Sequence, residues 1–311
     1  MLKLIFLGTS EATPSAKRNQ TAIWLNYKNE TLLIDCGEGV QRQLKIAGLS
    51  PCKLTRILIT HWHGDHVLGL PGLIQTLALN NYSKQLHLYG PKGTTKFFSR
   101  LMSLFEPIKP LQVKINEIKQ NGKILETPDF AIYAYYLKHS APCLGYVFKE
   151  KTRRKILIEK IKKLGIPEGP LIGKLQRGKS IRFKGKLIKP NQVSYQIKGR
   201  HIGFILDTLP CKTCLLIAKD ADLLITECTF SRQHADLAKE RYHLSTQDLA
   251  SILVKARPKK VYLLHVSQRY LNKETLIEKE LEELLHAEMK KKKLKEKIEV
   301  KLASDFDQVI L

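Results

Sequence analysis

The stretch from residue 58 to residue 73, LITHWHGDHVLGLPGL, constrains the fold of this chain more than any other segment. It places His61, His63, Asp65 and His66 in an H-x-H-x-D-H arrangement directly after a short apolar run, and Gly64 allows a tight loop. Neutral imidazole suits zinc, and a carboxylate can bind a metal while it polarises a water. Because this spacing rarely arises by chance, it predicts a metal-binding loop at the end of a buried strand.

Three further candidate ligands end apolar runs elsewhere in the chain. His139 closes AIYAYYLKH, Asp207 closes HIGFILDT and His265 closes VYLLH. Ligand sites in α/β proteins collect at the ends of strands. With the loop, these residues make five histidines and two aspartates, enough for two zinc ions that share one bridging carboxylate.

The remaining pattern predicts one α/β domain of stacked sheets over residues 1–311, interrupted by an insertion at about 150–195. Strands are predicted at KLIFLGTS, TAIWLNY, TLLIDCGEG, RILITH, LHLYGP, AIYAYYLKH, LGYVFKE, HIGFILDT, DLLITECTF, KVYLLHVS and EVKLAS. Helices are predicted at QRQLKIAGL, at GLIQTLALN after a turn at Pro71 and Gly72, at TRRKILIEKIKKLGI, at STQDLASILVKA and from Lys273 to Lys297.

Composition limits the class of protein. Apolar residues make up 43% of the chain, enough for a sizeable core, yet no apolar run approaches the roughly 18–20 residues of a membrane span. The N-terminus, MLKLIFLGTS, predicts a first strand rather than a signal peptide. We therefore expect a cytoplasmic protein with no membrane partner.

Positive charge is concentrated in one block. The net charge is +24, and residues 149–200 hold seventeen Lys or Arg against three Glu. Such a one-sign block suggests a polyanion partner, whose phosphates five cations could neutralise: Lys174, Arg177, Lys179, Arg182 and Lys184. Double-helical RNA fits, because it offers phosphates and 2′-hydroxyls more than readable bases. The alternative is a solvated connector.

Several cysteines and histidines fall outside these patterns. Six cysteines are scattered, and only Cys211 and Cys214 have paired spacing, without the second pair that a zinc ribbon needs. We expect ordinary reduced cysteines. His87, His201, His234 and His286 fit no part of the ligand set, and we expect structural or surface roles for them.

Taken together, these motifs resemble the metallo-β-lactamase superfamily and, within it, the ribonuclease Z family of tRNA 3′-processing endonucleases. The resemblance runs nearly end to end, through FLGTS, HWHGDH with VLGLPGL, LKHSAPCLGYVF, TECTF, HLST and LLHVSQRY. It implies the metallo-β-lactamase fold, a four-layer αββα sandwich. It also implies two Zn²⁺ per subunit, one held by His61, His63 and His139, the other by Asp65, His66 and His265, with Asp207 bridging them.

The resemblance further implies a zinc-dependent endoribonuclease that removes 3′ trailers from tRNA precursors. Two-metal hydrolysis would leave a 3′-hydroxyl on the tRNA and a 5′-phosphate on the trailer. Asp65 is the candidate general base, and His243 with Glu227 would protonate the leaving oxygen. Without the resemblance, His243 could equally be a neighbour of a helix cap and Glu227 a structural acid.

The insertion resembles the flexible tRNA-binding arm of that family, which carries a Gly-Pro motif. The RNA-binding residues would be Gly169, Pro170 and Gly173 together with the five cations named above. The implied partners are precursor tRNA and a second copy of the chain, with no nucleotide cofactor.

Two alternatives stay open at this stage. One is a hydrolase of this fold that acts on small phosphodiesters or esters, although a small substrate needs no basic arm. The other is a non-catalytic RNA-binding protein with a structural metal site, although such a site closes with four ligands around one ion.

Overall fold

The computed structural model of the protein describes residues 1–106, 109, 111–294 and 297–311. Its strands are β1 (Leu2–Gly8), β2 (Ala22–Tyr27), β3 (Glu30–Ile34), β4 (Arg56–Leu58), β5 (Leu86–Gly90), β6 (Val113–Glu117), β7 (Gly122–Glu126), β8 (Phe130–Tyr136), β9 (Leu144–Glu150), β10 (Arg153–Ile156), β11 (Ile181–Phe183), β12 (Lys186–Ile188), β13 (Ser194–Ile197), β14 (His201–Ile205), β15 (Leu223–Glu227), β16 (Lys260–Leu264), β17 (Glu299–Leu302) and β18 (Gln308–Ile310).

The helices lie between these strands. They are α1 (Val40–Ile46), α2 (Gly64–Val67), α3 (Leu70–Leu79), α4 (Thr94–Met102), α5 (Ile158–Lys163), α6 (Pro170–Gln176), α7 (Pro190–Val193), α8 (Lys212–Ala218), α9 (Ala235–Glu240), α10 (Thr246–Ala256) and α11 (Thr275–Lys291). In the described part of the chain, no helix has the length and apolar character needed to cross a membrane.

Two seven-stranded sheets form the body of the protein. Their strand orders are β18-β1-β2-β3-β4-β5-β6 and β17-β16-β15-β14-β9-β8-β7. Each sheet has an antiparallel part and a parallel part, the latter being β3 to β6 in the first sheet and β14 to β17 in the second. Parallel strands end at one edge of a sheet, so the loops that follow them lie side by side.

The alternation of side chains along the strands shows which faces are covered. In β1, Leu4 and Phe6 belong to the core between the two sheets, whereas Ile5 packs in the cluster under α1 and α3. In β15, Ile225 faces the same central core, whereas Leu224 joins the cluster under α8 and α10. Since successive side chains of a strand point to opposite faces, both sheets are covered on both sides. The predicted four-layer αββα arrangement is confirmed.

The predicted strands are all present, but two helix predictions need correction. Pro71 and Gly72 are not in a turn, because α3 begins at Leu70 and accommodates Pro71 in its first turn, where a missing N–H costs nothing. The helix predicted at TRRKILIEKIKKLGI is wrong in its first half, which forms β10 paired with β13. The helix predicted from Lys273 to Lys297 is observed as the shorter α11, which ends at Lys291, and residues 295 and 296 lie outside the described range.

The chain leaves the second sheet after β9 and returns to it at β14. This excursion, residues 151–200, overlaps the insertion expected at about 150–195, and we call it the insert. It has a small core of its own, whose buried members are Ile161, Ile166, Leu175, Ile181, Ile188 and Val193. The antiparallel pair β10 and β13 joins this core to the body of the protein.

A buried carboxylate holds the two ends of the insert together. Glu150, only 7% exposed, accepts a hydrogen bond from the Tyr27 hydroxyl at 2.8 Å. Its other oxygen accepts one from Arg200 Nε at 2.6 Å. The last residue of β9, which precedes the insert, and the last residue of the insert are therefore tied to each other and to β2.

Candidate metal centre

The predicted ligands converge at one edge of the two facing sheets. His61 and His63 lie in the loop from β4 into α2, and Asp65 and His66 lie within α2. The other three follow strands of the second sheet: His139 follows β8, Asp207 follows β14 and His265 follows β16. Residues separated by up to 204 positions are thus brought together by strands that end at the same edge.

The ligand atoms form two clusters. His61, His63, His139 and Asp207 make the first, in which His63 Nδ1 lies 3.0 Å from His61 Nε2 and 3.2 Å from His139 Nε2. Asp65, His66, Asp207 and His265 make the second, in which Asp65 Oδ2 lies 3.1 Å from His66 Nε2 and 3.4 Å from His265 Nε2. Asp207 belongs to both clusters, with Oδ2 toward His61 and His66 and Oδ1 toward His265.

Hydrogen bonds orient four of the five imidazoles in the same way. Each has Nδ1 against an oxygen, which leaves Nε2 facing the centre as an acceptor: His61 against Thr60 Oγ1 at 3.1 Å, His66 against Asp35 Oδ2 at 2.6 Å, His139 against the Tyr242 carbonyl at 3.0 Å and His265 against Thr229 Oγ1 at 3.2 Å. Outer contacts of this kind fix the tautomer of metal-binding histidines. The ring orientation therefore fits metal ions on Nε2.

Two buried polar atoms without hydrogen-bond partners also favour a bound metal ion. His66 Nε2 and Asp207 Oδ1 are buried and have no hydrogen-bond partner among the described residues. A buried polar atom without a partner costs about 1–3 kcal/mol, unless something else satisfies it. A cation between these atoms would do so, and the two histidines and two aspartates of this cluster form a donor set that suits zinc.

The electrostatics of the second cluster also favour a bound cation. Burial alone would lower the pKa of His66, but the carboxylates of Asp207, Asp35 and Asp65 raise that pKa well above its ordinary value. Three converging carboxylates thus favour positive charge at this position. A divalent cation would supply that charge and displace the proton.

Three residues of the centre adopt left-handed backbone conformations. The φ angles are 57° at Asp35, 34° at Asp207 and 59° at His265, and each residue follows the end of a strand. Non-glycine residues rarely adopt these angles, and each such bend costs on the order of 1 kcal/mol. The chain turns sharply where its side chains must enter the centre.

Asp35 and its neighbour Thr60 were missed by the sequence analysis. Asp35 is fully buried and accepts hydrogen bonds from His66 Nδ1, from the Thr60 amide at 2.7 Å and from the Thr60 hydroxyl at 2.7 Å. The parallel pairing of β3 with β4 creates these contacts. The available signal was an aspartate at the end of a buried strand, TLLID, the same pattern that marked Asp207.

His243 and Glu227 lie beside the second cluster. His243 Nδ1 is 3.1 Å from Glu227 Oε1, and the His243 ring centroid lies 5.3 Å from that of His265. Burial would lower the pKa of His243, but the Glu227 carboxylate outweighs it and raises the pKa to about 9. Thr229, also missed by the sequence analysis, donates to Glu227 Oε2 at 2.6 Å and connects the pair to His265.

Comparison with known proteins identifies the family. The ribonuclease Z of Methanothermobacter thermautotrophicus is 38% identical over 279 residues, which cover 89% of this chain and 91% of that protein. The ribonuclease Z of Thermococcus onnurineus is 42% identical over 275 residues, covering 87% and 86%. The chain belongs to the ribonuclease Z family. The family predicted from the sequence is thereby confirmed.

Solved structures agree with a ribonuclease Z fold. Human tRNase Z, short form, superposes with a TM-score of 0.68 at 27% identity, covering 99% of this chain and 98% of that one. A metallo-β-lactamase fold protein from Bacillus subtilis, YhfI, gives 0.69 at 16% identity, which shows the shared fold alone. A family model described as the anti-Pycsar protein Apyc1 matches residues 2–105, less than half of the chain. The predicted metallo-β-lactamase fold is confirmed.

The residues predicted to bind RNA lie in the insert of this ribonuclease Z family member. Gly169 precedes α6, which contains Pro170, Gly173 and Lys174, and Arg177, Lys179, Arg182 and Lys184 follow. All are exposed except Gly173, which is half-buried. Next to them is a groove of about 680 Å³, which also has Arg153, Arg154, Lys155 and Lys162 in its lining.

Proposed function

We propose that the protein is a zinc-dependent endoribonuclease that removes 3′ trailers from tRNA precursors. The observation that carries this proposal is the pair of ligand clusters that share Asp207, in a chain of the ribonuclease Z family. His61, His63 and His139 would hold one ion, Asp65, His66 and His265 the other, and Asp207 both. Bound at such a site, two divalent ions lower the pKa of an attacking water and stabilise charge on the phosphoryl oxygens.

The side chains of the protein would manage the protons of the reaction. Burial tends to raise the pKa of Asp65, but the neighbouring His66 and His265 rings hold it below its ordinary value, so this carboxylate is ionised. As the candidate general base it would accept a hydrogen bond from the attacking water. His243, held by Glu227 through Nδ1, would present Nε2 to the leaving 3′-oxygen of the tRNA. The products are a 3′-hydroxyl on the tRNA and a 5′-phosphate on the trailer.

The insert would bind the body of the tRNA. Its exposed cations lie on a unit with its own core, outside the two sheets that hold the centre. Cations on such a surface bind phosphates by position and charge rather than by base sequence. A hydrolase of small phosphodiesters has no use for this surface, and a purely structural metal site has no use for a second ligand cluster. We further expect a homodimer and a cytoplasmic location.

Cleavage of a 3′-extended tRNA precursor tests the main proposal. We expect zinc-loaded protein to cut near the discriminator base and a chelator to abolish cutting. Asp65→Ala should keep RNA binding but lose cleavage, whereas Asp236→Ala, on the exposed face of α9, should cleave like the parent. Equal cleavage by Asp65→Ala and the parent would refute the assigned mechanism.

The leaving group tests the role of His243. General acid catalysis contributes about 10²–10⁴-fold when the leaving oxygen is a poor leaving group. We expect His243→Ala to lose that factor on precursor tRNA, whose leaving group is a ribose 3′-oxygen, but little on bis-p-nitrophenyl phosphate, which releases a stable phenolate. Equal losses on both substrates would assign His243 a structural role.

Excision of the insert tests its binding role. Arg153 lies opposite Ile197 in the pairing of β10 with β13, so about 5 Å separates the two backbones there. A short Gly-Ser linker can therefore replace residues 152–198. We expect weaker tRNA binding with a flatter salt dependence, because fewer counterions are released, and unchanged hydrolysis of bis-p-nitrophenyl phosphate. Loss of both activities would make the insert structural.

A further inference from the structure

Two cysteines lie in contact outside the metal centre. Cys211 Sγ and Cys214 Sγ are 3.3 Å apart, and neither is in a disulfide. Cys211 is the N-cap of α8 and is partly exposed, whereas Cys214 lies in the first turn of that helix and is fully buried. The Cys211 sulfur can therefore react with a reagent from solution, whereas the Cys214 sulfur is buried next to it.

The surroundings make the two thiols chemically unequal. Hydrogen bonds from the Cys214 thiol and from Thr213, whose Oγ1 lies 3.0 Å from Cys211 Sγ, lower the pKa of Cys211 to about 5. The same contact raises the pKa of Cys214 well above its ordinary value. Thiolates are the nucleophiles in disulfide chemistry, so Cys211 is the attacking sulfur and Cys214 the second one.

The other cysteines lack this arrangement. Cys36, Cys143 and Cys228 are fully buried, and burial raises the pKa of each. Cys52 is partly exposed, but within the described ranges no second sulfur lies within hydrogen-bonding distance of it. The pair at 211 and 214 therefore stands apart from the ordinary reduced cysteines that the sequence suggested.

We propose that Cys211 and Cys214 form a redox-active dithiol that exchanges with small-molecule disulfides. The Cys211 thiolate attacks one sulfur of a disulfide RSSR, and RS⁻ leaves and takes up a proton. Cys214 then loses its proton and attacks the Cys211 sulfur, which expels the second RS⁻. The protein gives up two electrons and the Cys214 proton, solvent supplies the second proton, and RSSR becomes two RSH.

The dithiol is close to the metal centre but is not part of it. Thr208 Oγ1 lies 3.9 Å from Cys211 Sγ, and the Thr208 amide donates to Glu227 Oε1 at 2.7 Å. The proposal rests on the two sulfurs alone and is independent of the proposed nuclease activity.

Oxidised glutathione tests the proposal. The full-length protein is incubated with it at neutral pH, quenched with acid, alkylated and mapped by mass spectrometry with a protease that does not cut between the two cysteines. We expect the peptide that holds both cysteines to lose two hydrogens. Cys214→Ser should instead trap glutathione on Cys211, and Cys211→Ser should form neither product.

Cys52→Ser serves as the matched control and should form the intramolecular disulfide as the parent does. Glutathione adducts on Cys52 without any 211–214 disulfide would overturn the proposal, as would an unchanged dithiol.

Alkylation kinetics give a second measurement that needs no disulfide. At pH 6 the thiolate fraction of a thiol with a pKa of about 5 is about 300-fold larger than that of a free cysteine. Each such thiolate is about 40-fold less nucleophilic, because nucleophilicity falls with pKa. We therefore expect iodoacetamide to modify Cys211 about 10-fold faster than free cysteine. Cys214→Ala should remove this advantage. A rate equal to that of free cysteine in the parent protein would refute the assignment of Cys211 as the nucleophile.

Discussion

Replacing Asp35 by asparagine should weaken one of two zinc-binding events and largely spare the other. Asp35 accepts three hydrogen bonds in a fully buried position, one from His66 Nδ1 and two from Thr60. Asparagine has one acceptor oxygen and a donor amide. If that oxygen stays with Thr60, the amide faces His66 Nδ1, and the ring must move its proton to Nε2. The metal-facing lone pair of His66 is then lost.

The expected magnitude follows from the contact that is removed. A buried hydrogen bond to a charged group is worth about 1.5–3 kcal/mol, and loss of an outer partner of a metal-bound histidine costs about 10–100-fold in metal affinity. Only the second cluster contains His66. The first cluster lacks His66 and is reached only indirectly, through Thr60, which contacts His61 Nδ1 at 3.1 Å, and through the shared Asp207, so its affinity should change by less.

Zinc competition with a chromophoric chelator measures both events in one titration. We expect the parent to bind two equivalents, and Asp35→Asn to bind one equivalent with affinity close to that of the parent and the other about 10–100-fold more weakly. Asp222→Asn is the matched control, because Asp222 also accepts a backbone N–H, from His201 at 2.9 Å, but lies outside the centre. If Asp35→Asn binds both equivalents as the parent does, the tautomer argument is wrong.

Three further predictions concern stability. Leu175→Ala, in the core of the insert, should lower the stability of the insert by about 2–5 kcal/mol. It should also lower tRNA cleavage without changing the hydrolysis of bis-p-nitrophenyl phosphate. Leu187→Ala, at a position 55% exposed, should change neither the stability of the insert nor tRNA cleavage. Glu150→Gln should lower the free energy of unfolding in urea by about 1–3 kcal/mol at neutral pH. Burial raises the pKa of Glu150, but hydrogen bonds from Arg200 and Tyr27 outweigh it and lower the pKa overall. The difference in unfolding free energy between the parent and Glu150→Gln should therefore disappear as the pH falls through the lowered pKa of Glu150. An equal difference in acid would contradict this role of the carboxylate. Ser245 is the N-cap of α10, and its Oγ accepts a hydrogen bond from the Asp248 amide at 3.2 Å. Ser245→Ala should lower the stability measured by thermal unfolding by about 1 kcal/mol. Ser251→Ala, on the exposed face of the same helix, should lower it by less.

The loop that brings together four candidate metal ligands and the layered fold could be predicted from the sequence because their signals are local. His61, His63, Asp65 and His66 lie within six residues, and the strands are short apolar runs. Asp35 carried only the weaker signal of an aspartate at the end of a buried strand, and its role depends on the pairing of β3 with β4 and on the position of the His66 ring. An isolated aspartate after a strand does not indicate which ring it will meet.

The insert shows the same limit in its secondary structure. The run TRRKILIEKIKKLGI has apolar residues at helical spacing, yet Arg153 to Ile156 form a strand. The partner of that strand, β13, lies about 40 residues further along the chain. Four residues of alternating exposure are too few to identify a strand before its partner is known.

The bends at Asp35, Asp207 and His265 have a consequence for how this fold changes over time. Left-handed backbone at three non-glycine residues opposes folding, and glycine at those positions would relieve the strain. Such replacements at 207 or 265 would also remove a proposed metal ligand, so a chain with the proposed activity must keep the less stable residue. A descendant that no longer needs catalysis gains stability by losing these side chains. Their identity in other chains of this fold therefore distinguishes working enzymes from members that keep only the scaffold.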